Sequence, residues 1–329
     1  MNKKYSELAE LFRSEKTDEE ILDFLLNYHK NDIADMMAGM TEEERKRLYH
    51  LLGAQKVAEI FKYIEEPRKY IRELSVESAA RVISEMDSDD AVDLLEDLDP
   101  EEKEQIVRML DEDAKKDVKM LLSYDEEEIG SCMTTNYICI PEDLTIKQAM
   151  SELVKQAGEN DNIMTIYVVD EKGVFAGAID LKDLIRAREN THLEDLVLKS
   201  YPYVTDHEKI DDCMDRILDY AEDSIPVLSE DKRILGVITS EDLIEMVDNE
   251  MGEDYAKLAG LTAEEDLKEP IVQSMKKRLP WLIILLFLGM GVSSVVGLFE
   301  NVVAVLPIVI CFQSLVLDMA GNVGTQSLA

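Results

Sequence analysis

The first third of the chain has the apolar spacing of short amphipathic helices. From residue 1 to about 128 no segment alternates apolar and polar residues as a strand does, and glycine and proline are sparse. Three successive segments repeat one pattern of twelve residues: LSVESAARVISE (74–85), MDSDDAVDLLED (86–97) and LDPEEKEQIVRM (98–109). Each unit is too short to bury its own apolar face, so we expect the helices to stack into a superhelical solenoid.

Each repeat starts with an apolar residue that is followed by a residue typical of a helix N-cap. Ser75, Asp87, Asp99 and Asp111 hold this position. Side-chain oxygens there can accept a hydrogen bond from a free N–H group of the first turn. We therefore expect each of the four side chains to cap a new helix.

Residues 129–250 change to short β-branched runs that alternate with helical stretches. Two copies of one pattern occur, TIYVVDEKGVFAGAIDLKDLI (165–185) and SIPVLSEDKRILGVITSEDLI (224–244). Each copy predicts a strand, a turn, a second strand and the start of a helix. The predicted strands are 137–140, 166–169, 176–179, 224–227 and 234–238.

This duplication resembles a tandem pair of CBS domains. The resemblance rests on the ending G-h-I-x-x-x-D-L-I, in which h is apolar, shared by both copies. In that family a hydroxyl and a carboxylate at a helix N-terminus hold an adenine nucleotide. Thr239 and Asp242 match, whereas in the first copy Asp183 matches but Asp180 replaces the hydroxyl. We expect one nucleotide site at most, and the same side chains could equally be helix caps.

The chain after Pro280 is almost entirely apolar. The uncharged run 281–299 is just long enough, at about 1.5 Å per residue, to cross a hydrocarbon core of about 30 Å. A second uncharged run covers 302–317. Two such runs in tandem favour membrane helices over a buried globular helix. The basic segment 276–278 then places the N-terminal block in the cytoplasm by the positive-inside rule, so we expect a multi-pass protein of the cell membrane, in contact with the lipid bilayer.

The charge balance narrows the possible partners. Asp and Glu number 71 against 35 Lys and Arg, a net charge of −36, and only Glu300 and Asp318 are ionisable after Pro280. This acidic surface repels phosphate backbones, which excludes a nucleic-acid partner, and attracts cations. The four cysteines form no CxxC pair, which argues against a zinc site or a disulfide framework. No nucleophile–base arrangement, Walker loop or HExxH motif indicates an enzyme.

Residues 248–278 form a mostly helical connector with clustered acids, among them Asp248, Glu250, Glu253 and Asp254. Mg²⁺ is a hard ion that takes oxygen ligands and keeps much of its water, so carboxylates without His or Cys suit it. The spacing does not distinguish Mg²⁺ from Ca²⁺, and a solvated helix face would show the same pattern.

The second apolar run ends in the polar sequence LDMAGNVGTQS (317–327). Polar groups at membrane depth usually face a protein interior or a water-filled path. Carbonyl groups beside Asn and Gln side chains can contact a hydrated cation there. The alternative is a helix end that emerges among lipid headgroups.

The order of these segments resembles the MgtE family of magnesium channels and transporters over the whole chain. The most specific part is the sequence GNVGTQ at 321–326. The resemblance implies a homodimer with five spans per subunit and a multidomain fold: an all-α superhelical N domain (1–128), an α/β tandem CBS pair (129–190 and 191–247), a connector or plug helix (248–278) and α-helical transmembrane segments (279–329).

In this family, cytosolic Mg²⁺ binds between the N, CBS and plug elements and closes a pore, which opens when Mg²⁺ falls and the acidic faces repel. The resemblance thus implies Mg²⁺ as regulatory and transported ion, with ATP as a further candidate ligand. The matching metal-sensor residues are Glu59, Asp89, Asp93, Asp242, Glu245, Glu250, Glu253 and Asp254. The candidate pore residues are Glu300, Asp318, Gly321, Asn322 and Gln326.

The chain ends at Ala329, inside or just after the second expected span. We therefore expect three of the family's five spans to be missing, together with the ion-selecting Asp of the fifth, so that conduction by this chain alone is doubtful and sensing remains feasible. The alternative function is a membrane-anchored CBS module that senses adenine nucleotides.

Overall fold

The computed structural model describes residues 17–64, 66–158, 160–188, 190–247 and 271–298, with single residues between 312 and 323. The chain divides into two compact units, 1–243 and 244–329. The first unit contains a helical domain followed by two α/β modules.

The helical domain is a solenoid, as the repeat predicts. From α3 onward, the main contacts join helices that are two positions apart along the chain: α3 with α5, α5 with α7, and α6 with α8. Helix α3 is kinked at Gly53, whose φ of 76° favours glycine. The helices are α1 (Asp18–Leu25), α2 (Lys30–Met37), α3 (Glu42–Phe61), α4 (Pro67–Ile71), α5 (Val76–Ser84), α6 (Ser88–Glu96), α7 (Pro100–Met109) and α8 (Glu112–Leu121).

Two of the four predicted caps are present. The Ser75 hydroxyl accepts a hydrogen bond from the Ser78 N–H at the start of α5. The Asp111 carboxylate accepts one from the Ala114 N–H, with 2.9 Å between the two atoms, at the start of α8. These side chains satisfy donors that the first helical turn leaves free.

The capping prediction was wrong for Asp87 and Asp99. Both occupy N-cap positions, but neither side chain makes a capping hydrogen bond. Asp87 accepts a hydrogen bond from the Asn136 side chain instead. Asp99 pairs with Arg68 and Arg72 in the preceding part of the solenoid. Longer-range partners have replaced the local ones.

The two α/β modules have the same sheet topology, in which the first strand pair is parallel and the second antiparallel. All five predicted strands are present; the structure adds β4, which at two residues is too short to show an apolar pattern. The strands are β1 (Ile138–Pro141), β2 (Thr165–Val169), β3 (Phe175–Asp180), β4 (Val204–Thr205), β5 (Ser224–Leu228) and β6 (Ile234–Thr239). The helices are α9 (Ile146–Gln156), α10 (Leu181–Arg186), α11 (Ile210–Leu218) and a final helix whose described residues are 240–247.

The glycine of the duplicated motif has a structural role in both modules. A Cβ atom on Gly177 would lie 2.6 Å from the Leu198 carbonyl oxygen, and one on Gly236 would lie 2.7 Å from that of Thr134. Each glycine therefore lets a distant backbone segment approach its sheet closely. These segments form isolated bridges to the residue after each glycine.

In the second unit the structure describes helix α12 (Ile271–Leu298), which contains Pro280. Among the residues that the structure describes, no helix combines the length and the apolar character needed to cross a membrane. Most of the predicted connector, 248–270, lies outside the described residues.

Candidate cation-binding site at the domain junction

The start of α6 is fixed directly to the first CBS module. The Thr135 N–H donates to Ser88 Oγ at 2.9 Å, and the Thr135 hydroxyl donates to Asp117 Oδ2 at 2.8 Å. The Asn136 amide donates to Asp87 Oδ1 at 2.8 Å. These hydrogen bonds place the acidic first turn of α6 at the junction between the helical domain and the CBS pair.

Two of the predicted sensor carboxylates influence each other across this junction. Asp89 lies in the first turn of α6, and Asp242 lies in the helical residues 240–247 that end the second CBS module. Burial raises the pKa of Asp89 well above its usual range, and the charge of Asp242 raises it further. Burial also raises the pKa of Asp242, although hydrogen bonds with Thr239 act to lower it.

The Asp89 carboxylate also lacks a partner on one side. Its Oδ1 is shut off from solvent and has no hydrogen-bond donor. A buried carboxylate oxygen without a donor is costly, and a second carboxylate nearby increases that cost. A cation bound beside Asp89 and Asp242 would therefore stabilise the junction.

The chemistry of this pair fits a partly hydrated Mg²⁺. Both side chains offer oxygen ligands, and Mg²⁺ in proteins commonly takes one or two carboxylates while it keeps several waters. Within the described ranges, no three His, Cys, Asp or Glu side chains lie close enough together to hold a metal ion. The described residues would thus supply at most two carboxylate, imidazole or thiolate ligands to the ion.

Three other predicted sensor residues, Glu59, Asp93 and Glu245, also lie among the described residues. Glu59 on α3 pairs with Lys30 at 3.0 Å. Asp93, one turn after Asp89, is exposed, as is Glu245. The remaining predicted sensor and pore residues lie outside the described residues: Glu250, Glu253, Asp254, Glu300, Asp318, Gly321, Asn322 and Gln326.

Sequence reasoning missed four charged residues at the junction. The Lys62 ammonium lies 3.1 Å from Glu241 Oε2 and 3.8 Å from Asp87 Oδ2. Burial raises the pKa of Asp90 to about 7, although the charge of Lys62 acts to lower it. The four residues come from three segments that lie far apart in the sequence, one with Lys62, one with Asp87 and Asp90, and one with Glu241, and no local pattern shows that these segments meet.

The residues predicted to hold a nucleotide act, in part, as a helix cap. The Thr239 N–H donates to Asp242 Oδ2 at 2.7 Å, and the Asp242 N–H donates to Thr239 Oγ1 at 3.3 Å. Asp183 lies in the first turn of α10, where Asp180 makes no capping hydrogen bond. The two modules therefore differ at equivalent helix starts.

A separate cavity of about 460 Å³ lies in the CBS pair. Three tyrosines line it, Tyr201, Tyr203 and Tyr220, together with the cations Lys199 and Arg216. Aromatic rings can stack on a base, and cations can pair with phosphates. None of the three residues predicted from the sequence to bind nucleotide lines this cavity.

Comparison with known proteins identifies the family. The model of the MgtE intracellular N domain matches residues 28–127, and the CBS domain model matches 127–190 and 193–249. The whole chain aligns, at 38% identity, with 73% of the magnesium transporter MgtE of Enterococcus faecalis. The chain belongs to the MgtE family.

Two solved structures are similar to this chain in fold. One is the crystal structure of the soluble part of a magnesium transporter, 29% identical, with a TM-score of 0.71 over 75% of this chain and 98% of that one. The other is the cytosolic domain of the Mg²⁺ channel MgtE in complex with ATP, 27% identical, with a TM-score of 0.66 over 73% of this chain and 99% of that one. The helical domain and CBS pair thus have the fold of an MgtE cytosolic domain.

Proposed function

We propose that this chain contains the Mg²⁺ sensor and part of the pore of an Mg²⁺ transporter in the cell membrane, with its N-terminal domains in the cytoplasm. Membership of the MgtE family supports the transported ion, because its Enterococcus faecalis relative is named a magnesium transporter. The observation that carries the sensing is the buried Asp89 oxygen without a donor, close enough to Asp242 for the charge of one to perturb the other.

In this mechanism Mg²⁺ joins Asp89 of the helical domain to Asp242 of the second CBS module and removes their repulsion. Asp93 and Glu59 are candidates to contact its water shell, and so are Glu245 and the acids of the connector, Glu250, Glu253 and Asp254. When Mg²⁺ falls, the like charges repel and the domains separate. That movement would open the pore to which Glu300, Asp318, Gly321, Asn322 and Gln326 are assigned.

We also propose that the chain works as a homodimer. The CBS pair leaves apolar side chains in contact with solvent, with Ile185 63% and Leu198 50% exposed. A second copy of the pair would cover such side chains at low cost in desolvation.

The Mg²⁺ proposal is tested by thermal unfolding of the full chain in detergent, with and without Mg²⁺ at matched ionic strength. A ligand that binds only the native state at 100 times its Kd stabilises it by about 2.7 kcal/mol, so we expect a rise in Tm of several degrees. Asp89→Asn and Asp242→Asn should each unfold at a higher temperature without Mg²⁺ and respond less to it.

The matched control is Glu101→Gln, which removes an exposed carboxylate from α7 and should keep the full response. The same Tm for the wild type with and without Mg²⁺ would contradict the sensing mechanism. A full response in Asp89→Asn and Asp242→Asn would place the ion elsewhere.

A second candidate function is the sensing of an adenine nucleotide by a membrane-anchored CBS module. The cavity with three tyrosines and two cations favours it, as does the relative solved with ATP. Calorimetry of the full chain should show heat of ATP binding that falls at least several-fold in Lys199→Ala and Arg216→Ala. Lys147→Ala, an exposed lysine on α9, is the control. The absence of binding heat would reject this function.

A further inference from the structure

Lys62 is the lysine that spans the domain junction. It follows the last residue of α3 in the helical domain, and its ammonium lies 3.1 Å from Glu241 of the second CBS module. The same ammonium lies 3.8 Å from Asp87 Oδ2, while Asp87 Oδ1 accepts the hydrogen bond of Asn136. The two oxygens of Asp87 therefore have different partners: Oδ1 contacts Asn136 and Oδ2 lies near Lys62. Lys62 in turn connects Asp87 to the second CBS module.

The surroundings of Lys62 are strongly anionic. It lines a cavity of about 190 Å³ with one other lysine, Lys30, which pairs with Glu59 inside the helical domain. Burial lowers the pKa of Lys62, but the carboxylates around it outweigh this effect and raise it, so the side chain stays charged. The carboxylates that line the cavity are Glu59, Glu85, Asp87, Asp90, Asp161 and Glu241.

We propose that Lys62 is a tethered counter-cation: its ammonium bridges Asp87 and Glu241 and holds the helical domain on the CBS pair without a metal ion. Its regulatory meaning rests on the proposed Mg²⁺ sensing. A single positive charge neutralises only part of this junction, so Mg²⁺ still adds to the closure. Lys62 thus sets the fraction of molecules in which the domain junction remains closed when the Mg²⁺ concentration is low.

The position of Lys62 makes it more than an ordinary surface ion pair. Exposed ion pairs contribute little, since both side chains lose freedom and water screens them. The Lys62 side chain is only 29% exposed and faces carboxylates from both domains. Its removal would leave the half-buried Asp87 without this cation, whereas Glu241, which is 63% exposed, would be better screened by water.

Hydrogen–deuterium exchange of the full chain in detergent tests this proposal. The peptides to follow cover 85–96 and 132–138, which form the junction, in the presence of a chelator. In Lys62→Gln we expect them to exchange about two to five times faster than in the wild type, because the closed junction opens more often. Saturating Mg²⁺ should reduce this difference, since the ion supplies the missing positive charge.

The control variants separate the bridge from general effects. Lys62→Arg keeps the charge and should exchange almost as the wild type does. Lys46→Gln removes a lysine from α3, the helix that Lys62 follows; Lys46 pairs with Glu42 within α3 at 2.5 Å, so this variant should leave the junction peptides unchanged. If Lys62→Gln destabilises the whole chain, peptides from β5 will also exchange faster. In that case Glu241→Gln, which changes the exposed partner of the same ion pair, tests the contact instead.

Equal exchange of wild type and Lys62→Gln in chelator would overturn the proposal. The double variant Lys62→Gln/Glu241→Gln gives a further test. If its exchange rate rises by the sum of the two single effects, the proposal is also overturned, because partners in one bridge should not act independently. Faster exchange in Lys62→Gln, with no effect of Mg²⁺ on either protein, would support the bridge and reject the Mg²⁺ sensor. The two proposals can therefore fail separately.

Discussion

Asp87 is a residue whose local role has been replaced by a longer-range one. It holds an N-cap position, where a side-chain cap contributes about 1 kcal/mol, yet it makes no such bond. Its two oxygens face Asn136 and Lys62 instead. The α6 helix consequently lacks the side-chain cap that α5 and α8 have, and its first turn is joined to the CBS pair.

His207 is a second residue that connects distant parts of the chain. Its Nδ1 lies 3.0 Å from Glu128 Oε1 before the first module, and its Nε2 lies 3.9 Å from Asp206 Oδ2 in the second. The hydrogen bond with Glu128, followed by the charge of Asp206, raises the pKa of His207. The charged imidazole is therefore favoured in the folded state.

The raised pKa of His207 predicts a pH dependence with a definite sign. The stabilisation is complete below the unfolded-state pKa of about 6.5 and is lost as pH rises through the higher folded-state pKa. Between about pH 6 and about pH 8.5, Tm should fall less in His207→Gln than in the wild type. The effect is small because the side chain is 63% exposed. His192→Gln, an exposed histidine, is the control; an identical pH profile in His207→Gln would contradict the assignment.

At the scale of the helices, the repeated unit of the solenoid carries two kinds of helix start. Helices α5 and α8 have side-chain caps, whereas α6 and α7 do not. The uncapped starts are those whose aspartates contact other parts of the chain. Repetition in sequence thus does not imply repetition of every contact.

This difference predicts the cost of losing a cap. Ser75→Ala should lower the free energy of unfolding by about 1 kcal/mol, because the first turn of α5 loses an acceptor. Ser75→Asp, which can still cap, should stay within about 0.5 kcal/mol of the wild type. Chemical denaturation of the full chain in detergent measures both, and equal stability of the Ala and Asp variants would show that the bond to Ser78 contributes nothing.

For the whole molecule, the dominant fact is a net charge of −36 that lies almost wholly before residue 280. Such a charge opposes the compact state unless cations offset it. At the domain junction the chain itself supplies the cation of Lys62, and we propose that Mg²⁺ comes from solution as a further one. Lys62 keeps a basal fraction of molecules with a closed junction, and Mg²⁺ makes the closed fraction depend on the Mg²⁺ concentration.

The order of the domains could be predicted from the sequence because it rests on local periodicity. The period of twelve predicted the solenoid, the duplicated pattern predicted four of the six strands, and a separate β-branched run at 137–140 predicted a fifth. The GNVGTQ sequence, in that order of domains, indicated the MgtE family, which the match to the Enterococcus faecalis protein confirms. The assignment of individual metal, nucleotide and pore residues stays a prediction.

The tertiary structure alone decided which charges meet. Lys62, Asp87 and Glu241 come from three separate segments, and their contact depends on how the solenoid packs on the second CBS module. The packing of the solenoid on the first CBS module turned Asp87 from a cap into a contact with Asn136. Local patterns report how often apolar residues recur, and hence which helices and strands form. Distances between remote side chains follow only from the closed fold, so a charge network that joins domains has no signature in any single segment.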